Sequence, residues 1–176
     1  MAESPRILIL EDNPTDAEFV QFELLEAGIV FTAKVVKTEK DFVSELQEFS
    51  PDLILSDYDL LEYNGTLALA EARKRRPDTP FILVTGAVGE DRAIEILTQG
   101  AKDYVLKGRL QQRLVPAVRR ALAEAQEQKA RKKAEEELRE AHRNLESQIE
   151  ERTAELKKQV EHRSLIEASL LRYNER

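Results

Sequence analysis

The sequence predicts a doubly wound α/β fold with a five-stranded parallel sheet, followed by one long C-terminal helix. Short apolar runs rich in Ile, Leu and Val alternate with segments of helical spacing over the first ~110 residues. The strongest runs are apolar without alternation, which is typical of strands buried on both faces of a parallel sheet. After Pro116 the chain contains neither glycine nor proline, and this favours one continuous helix.

The predicted strands and helices follow one another in strict order. The strand signals, strongest first, lie at residues 7–10, 53–55, 81–84, 31–36 and 104–106. The helical signals lie at residues 15–27, 39–48, 64–75 and 91–99, and a fifth helix begins near Leu110. In the first helix we expect Phe19, Phe22 and Leu25 or Glu26 to follow one face, with Gly28 ending the helix.

Charge divides the chain at about the same place as the helix breakers. Residues 1–107 contain 11 Lys and Arg against 21 Asp and Glu, whereas residues 108–176 contain 16 against 13. We therefore expect an acidic globular domain at residues 1–122 and a mildly basic helical segment at residues 123–176.

Cysteine is absent from the sequence, which excludes a disulfide framework and a thiolate zinc site. Before the first acidic pair the N-terminus holds only four consecutive apolar residues, too few for a signal peptide or a membrane span. We expect a soluble, cytoplasmic chain without a membrane segment.

Charged and hydroxyl side chains stand where four of the five predicted strands end. Glu11 and Asp12 follow the first strand, Asp57 the third, Thr85 the fourth and Lys107 the fifth. The carboxyl ends of parallel strands share one edge of the sheet, so these groups are expected to converge. Clustered carboxylates repel one another unless a cation neutralises them, and all-oxygen ligation favours Mg²⁺. The sequence therefore predicts a magnesium site.

Asp57 ends the central strand of the five and is the best placed nucleophile of the cluster. Beside a divalent cation its carboxylate can attack a phosphoryl group while Lys107 and Thr85 hold the phosphoryl oxygens. This chemistry explains why a carboxylate ends the apolar run "LIL" of "DLILSDYDLLEYNG".

The segments "ILILEDN", "LILSDYDL", "ILVTG" and "AKDYVLK" occur in this order over residues 6–122. With them the chain resembles the receiver domains of two-component response regulators. The resemblance implies a flavodoxin-like receiver fold. It also implies that Asp57 is the phosphoacceptor, which takes its phosphoryl group from a histidine kinase or a phosphotransfer protein.

The resemblance also assigns roles to the other strand-end residues. It implies that Asp12 binds Mg²⁺ directly, that Glu11 acts through metal-bound water, and that the backbone carbonyl of Asp59 is a further ligand. Thr85 and Tyr104 match the switch pair of the family, and Lys107 matches its phosphate-binding lysine. One departure is Gly108, which stands where the family usually has proline; we expect a trans peptide bond and a more pliable loop there.

The C-terminal helix carries apolar residues mostly at steps of three and four, which predicts a coiled-coil seam. The seam includes Leu138, Ala141, Leu145, Ile149, Leu156 and Val160. The spacing is four residues both from Ala141 to Leu145 and from Leu145 to Ile149, and this interrupts the heptad pattern. A thin apolar stripe is poorly stable alone, so we expect a parallel homodimer.

The tail also resembles the linkers that join a receiver to a PAS domain and a histidine kinase core, so we expect this chain to be part of a longer sensor histidine kinase. The chain itself carries no kinase core. His142 and His162 lack the acid that usually follows a phosphoaccepting histidine, and each is read as a solvated helix position.

Other interpretations of these features remain open from the sequence. Glu11 and Asp12 could simply belong to the cap of the first helix, together with Asn13. "DYD" at residues 57–59 also fits the nucleophile motif of haloacid-dehalogenase-like phosphohydrolases, although those enzymes place it on their first strand. The basic run at residues 131–133 is followed by acids, so nucleic acid is not an expected partner. The main alternative is a non-phosphorylated scaffold that acts through its coiled coil.

Overall fold

Five parallel strands form one sheet in a computed structural model that describes residues 4–61, 63–86 and 90–174. The strand order is β2-β1-β3-β4-β5. The strands are β1 (Arg6–Leu10), β2 (Thr32–Val36), β3 (Leu53–Asp57), β4 (Phe81–Thr85) and β5 (Asp103–Leu106). The helices are α1 (Pro14–Glu26), α2 (Glu39–Glu48), α3 (Gly65–Arg75), α4 (Glu90–Thr98) and α5 (Leu110–Asn174). The predicted doubly wound fold is confirmed.

The sheet separates two apolar cores, because successive side chains of a strand point to opposite faces. On one face Leu8, Ile54 and Leu83 pack with residues of α2, α3 and α4. On the other face Ile9 and Leu55 pack with residues of α1 and the first part of α5. The strands are therefore covered on both sides, which is why they contain apolar runs without alternation.

The predicted apolar face of α1 is wrong. Phe19, Phe22 and Leu25 are 40%, 54% and 59% exposed. Helix α1 packs on the sheet through the other side, which consists of Ala17, Val20 and Leu24. Both sets of residues follow steps of three and four, so spacing alone cannot distinguish them. The set with the smaller side chains faces the sheet.

Local contacts determine where α1 and α3 begin, beside the ends of β1 and β3. Asn13 caps α1, since its side chain accepts a hydrogen bond from the N–H of Thr15 at 3.0 Å, and Pro14 takes the first helical position. Gly65 is the first residue of α3 and lies next to the end of β3. A Cβ atom on Gly65 would lie 2.7 Å from the carbonyl oxygen of Asp57, so only glycine fits there without a shift of the backbone.

Helix α5 comprises 65 residues, and the chain divides within it into a first unit that ends at Gln128 and a second that begins at Lys129. In the first unit Leu114 and Val118 of α5 are fully buried against the sheet. Arg120 also forms an ion pair with Asp103 of β5. These contacts fix the start of α5 to the sheet.

The second unit consists of the remainder of α5 by itself. Over residues 129–168 its large apolar side chains are exposed in the single chain, from 45% at Ile166 to 71% at Leu138. The predicted long helix is confirmed, whereas its pairing into a coiled coil stays a prediction. Among the residues that the structure describes, no helix is both long enough and apolar enough to cross a membrane.

Candidate functional site at the carboxyl edge of the sheet

Asp57 is the last residue of β3, and only 7% of it is exposed. Its Oδ1 accepts a hydrogen bond from the backbone N–H of Tyr58 at 2.6 Å, and the N–H of Asp59 lies 3.4 Å away. Its Oδ2 accepts a hydrogen bond from Lys107 at 2.8 Å. The carboxylate is therefore held by the loop that follows β3 on one side and by a cation on the other.

Lys107 begins the short 3₁₀ turn Lys107–Arg109, which directly follows β5. Its ammonium donates to Asp16 at 2.6 Å, to Asp57 at 2.8 Å and to Glu11 at 2.9 Å. Burial acts to lower the pKa of Lys107, but these three hydrogen bonds raise it above its ordinary value. Lys107 is therefore a fixed positive charge at neutral pH.

Glu11 and Asp12 follow β1, and the structure brings both of them to Asp57. Glu11 is 3% exposed, and burial raises the pKa of its carboxyl group although hydrogen bonds from Lys107 and Asn13 oppose this. Asp12 accepts a hydrogen bond from the backbone N–H of Leu61 at 2.9 Å. One carboxylate oxygen from each of Glu11, Asp12 and Asp57 lies within 4.8 Å of the others.

This donor set fits a small divalent cation. Mg²⁺ is bound in proteins by oxygen ligands, typically carboxylates and water. The three clustered carboxylates supply ligands of that kind. Asp59, predicted to contribute its backbone carbonyl, is exposed two residues beyond Asp57 and forms a bridge with Asn64.

Thr85 is the last residue of β4 and is fully buried. Within the described part of the chain its hydroxyl group has no hydrogen-bond partner. A buried hydroxyl group without a partner is costly, and such groups frequently belong to functional sites. The Thr85 hydroxyl group therefore keeps its full capacity to donate and accept hydrogen bonds.

Tyr104 lies on β5, opposite Leu83 of β4. Its ring is partly buried and packs against the core that faces α2, α3 and α4. Thr85 shares the face of β4 with Leu83, because the two are separated by two positions, so Tyr104 and Thr85 occupy the same side of the sheet. Their role as a switch pair stays a prediction.

Sequence reasoning did not identify Asp16, although its carboxylate accepts the shortest of the three hydrogen bonds from Lys107. Asp16 lies in the first turn of α1, where acidic residues are common because they interact favourably with the helix dipole. No local signal in the sequence relates Asp16 to Lys107, which lies 91 positions further along the chain.

Gly108 stands inside the 3₁₀ turn, and the peptide bond that precedes it is trans, as predicted. A Cβ atom at this position would meet no other heavy atom within 4 Å. The position therefore has room for a larger side chain. The backbone at Gly108 runs directly into α5.

Comparison with known proteins identifies the class to which this fold and site belong. The family model of the response regulator receiver domain matches residues 7–119. The chain belongs to this family and contains a receiver domain of the kind used in two-component signalling. The rival interpretation as a phosphohydrolase, which requires "DYD" on the first strand, is not supported, because "DYD" begins at the end of β3.

Individual relatives are response regulators. The chain is 31% identical over 117 residues to the luminescence regulatory protein LuxO of Vibrio campbellii, a match that covers 66% of this chain and 25% of LuxO. The signal receiver domain of a LuxO repressor protein from Vibrio parahaemolyticus superposes with a TM-score of 0.67 at 23% identity, over 73% of this chain and 97% of that domain. A CheY-like receiver domain protein from Methanospirillum hungatei superposes with a TM-score of 0.64 at 25% identity, over 72% of this chain and 99% of that chain. The chain spans about a quarter of the length of the curated regulators that it matches.

Proposed function

We propose that Asp57 accepts a phosphoryl group from the phosphohistidine of a histidine kinase or of a phosphotransfer protein. The observation that carries the proposal is the convergence of Asp57, Glu11 and Asp12 with Lys107 at one edge of the sheet. Membership of the receiver family supports the same role. In this proposal the chain is a phosphorylation-dependent module, whichever further domains it is joined to.

In the proposed reaction an oxygen of the Asp57 carboxylate forms a bond to phosphorus. The bond between phosphorus and the histidine nitrogen breaks, and its electron pair returns to the imidazole. We assign Mg²⁺ to Asp12, Asp57 and the backbone carbonyl of Asp59, with Glu11 acting through metal-bound water. There the ion would neutralise the carboxylates and polarise the phosphoryl oxygens. Lys107 and the Thr85 hydroxyl would bind the phosphoryl oxygens that Asp57 gains.

The output in this proposal is a change at Thr85 and Tyr104 that alters the C-terminal helix. The Thr85 hydroxyl would turn to the phosphoryl group, and the Tyr104 ring would then move inward. The exposed apolar residues of α5 support a parallel homodimer, since a lone helix gains nothing from exposing them. The tail's resemblance to kinase linkers supports a parent sensor kinase, but the relatives named above are regulators.

Intact-protein mass spectrometry tests the phosphoacceptor role. The chain is incubated with Mg²⁺ and a small phosphodonor such as acetyl phosphate, with a parallel sample that contains a chelator. One phosphoryl adduct that requires Mg²⁺ is expected. No adduct under conditions that label an established receiver would reject the proposal.

The second candidate is a non-phosphorylated scaffold that acts through dimerisation of α5. The same exposed apolar residues favour it, because they do not depend on the chemistry of Asp57. A chain that forms a dimer but takes up no phosphoryl group would support the scaffold. A chain that takes up the group and responds to it would support the switch.

A further inference from the structure

Asp16 is the one carboxylate bound to Lys107 that the proposed phosphoryl chemistry does not use. Its side chain is 36% exposed, and its Oδ2 lies 2.6 Å from the Lys107 nitrogen. The corresponding distances to Asp57 and Glu11 are 2.8 and 2.9 Å. The shortest bond of the lysine is therefore directed to helix α1 and not to the acceptor.

The three bonds account for the whole donor capacity of Lys107. A lysine ammonium has three N–H donors and no acceptor, and each donor here has a carboxylate partner. A phosphoryl oxygen on Asp57 needs one of these donors. The bond to Asp16 therefore restrains the ammonium as it turns from the Asp57 carboxylate to that oxygen.

We propose that Asp16 is a positioning residue that holds Lys107 back from the phosphoryl group and strengthens the binding of a divalent cation by the neighbouring carboxylates. The inference rests on the phosphoacceptor role proposed above for Asp57. It adds a residue of α1 to the groups that set the balance between the cation-bound and the phosphorylated forms.

The two effects of Asp16 have opposite signs for a physical reason. Its negative charge attracts a divalent cation and repels a phosphoryl dianion. The hydrogen bond from Lys107 to Asp16 also favours the cation and disfavours the phosphoryl group. A lysine drawn towards Asp16 competes less with a cation for Asp57 and Glu11. The same lysine is less available to a phosphoryl oxygen. Neutralising Asp16 should therefore weaken cation binding and strengthen phosphoryl binding.

The test measures both affinities by isothermal titration calorimetry on the full chain. Mg²⁺ is titrated alone, and beryllofluoride, a mimic of the phosphoryl group, is then titrated at saturating Mg²⁺. Asp16→Asn removes the charge, whereas Asp16→Glu keeps it. Glu18→Gln is the matched control, since Glu18 lies exposed on the same helix and the substitution makes the same change of net charge.

For Asp16→Asn we expect the Kd for Mg²⁺ to rise about three- to tenfold and the Kd for beryllofluoride to fall by a similar factor, as for a nearby, partly screened unit charge. Asp16→Glu should return both values towards those of the wild type, and Glu18→Gln should change neither. A general loosening of the site would weaken both affinities together, and that result would overturn the inference.

Two further results separate this inference from the proposed function. If the wild type binds beryllofluoride and Asp16→Asn behaves like Glu18→Gln, the role of Asp16 is wrong and the role of Asp57 stands. If the wild type does not bind the mimic at any concentration of Mg²⁺, the proposed function fails and the inference fails with it.

Discussion

The ammonium nitrogen of Lys107 lies 2.8 Å from Oδ2 of Asp57, although 50 positions separate the two residues in the sequence. Asp57 ends β3 and Lys107 follows β5, and β4 lies between these two strands in the sheet. Thr85, with its buried hydroxyl, ends that intervening strand. A carboxylate, a hydroxyl group and an ammonium group therefore meet at the ends of three adjacent strands of one parallel sheet.

Replacing Lys107 by alanine should impair both stability and phosphoryl uptake. The substitution leaves the buried carboxylates of Asp57 and Glu11 without their ammonium partner. The free energy of unfolding, measured with a chelator present at neutral pH, should therefore fall by about 1–3 kcal/mol, the cost of leaving buried polar groups unpaired. Loss of a charged donor to the phosphoryl group should slow phosphorylation about a hundredfold. Urea unfolding and the rate of adduct formation measure the two effects.

Lys107→Arg is the control, since it keeps the positive charge. It should retain most of the stability while changing the geometry of the donors. An alanine variant that is as stable as the arginine variant would show that the carboxylates do not need the cation.

Gly65→Ala should destabilise the receiver domain. The added methyl group would lie 2.7 Å from the carbonyl oxygen of Asp57 and 2.9 Å from the Cα of Tyr58, and neither backbone atom can move without displacing Asp57. We expect a loss of about 1–3 kcal/mol, as for other overpacked positions, together with slower phosphorylation. Thermal unfolding and adduct formation provide the measurements.

Gly108→Ala is the matched control for Gly65→Ala. A methyl group at Gly108 has open space around it, so the stability should be unchanged or should rise by up to about 1 kcal/mol. Equal losses at the two glycines would contradict the close packing described for Gly65.

The raised pKa of Glu11 predicts a specific dependence of stability on pH. Burial raises the pKa of Glu11 in the folded state above the ordinary value of 4.5. The folded state therefore binds a proton more tightly than the unfolded state, and the resulting stabilisation is lost as the pH rises from 4.5 through the folded-state pKa. Glu11→Gln removes this loss.

The free energy of unfolding of Glu11→Gln, relative to that of the wild type, should therefore increase as the pH rises from 4 to about 7. Denaturant unfolding in a chelator at several pH values measures this difference. A constant difference over the range would mean that burial of Glu11 does not shift its pKa.

The exposed apolar residues of α5 predict a homodimer. Light scattering after gel filtration should give twice the 20.1 kDa mass of one chain. Ile149 and Leu156 are 63% and 59% exposed in the single chain, and replacing both by Asp should give a monomer because charges are disfavoured at a coiled-coil seam.

Ser147→Asp is the control for the seam, since Ser147 is also exposed on this helix and lies about 200° around the helix axis from Ile149. This variant should remain dimeric. A wild type that stays monomeric at high concentration, with and without beryllofluoride, would contradict the dimer.

The sequence predicted the fold and the strand-end residues well, and for a physical reason. Parallel strands buried on both faces leave uninterrupted apolar runs, so the ends of β1, β3 and β4 could be located within one or two residues. Their carboxyl ends then had to share an edge, which brought Glu11, Asp57 and Lys107 together.

The features that the sequence did not predict depend on packing. Both sides of α1 carry apolar residues at helical spacing, and only the contact with the sheet distinguishes Val20 from Phe22. Asp16 resembled an ordinary acid of a first helical turn until the position of Lys107 was known. Side-chain partners that are 91 positions apart leave no local signal.

Chemical localisation of the phosphoryl group tests the central claim most directly. After incubation with Mg²⁺ and acetyl phosphate, borohydride reduces an aspartyl phosphate to homoserine, and tandem mass spectrometry of the digested chain locates the changed residue. Asp57→Asn, treated identically, is the control. We predict homoserine at position 57 alone, and only in the wild type. Labelling at another residue, or equal labelling of the variant, would contradict the assignment of Asp57 as the phosphoacceptor.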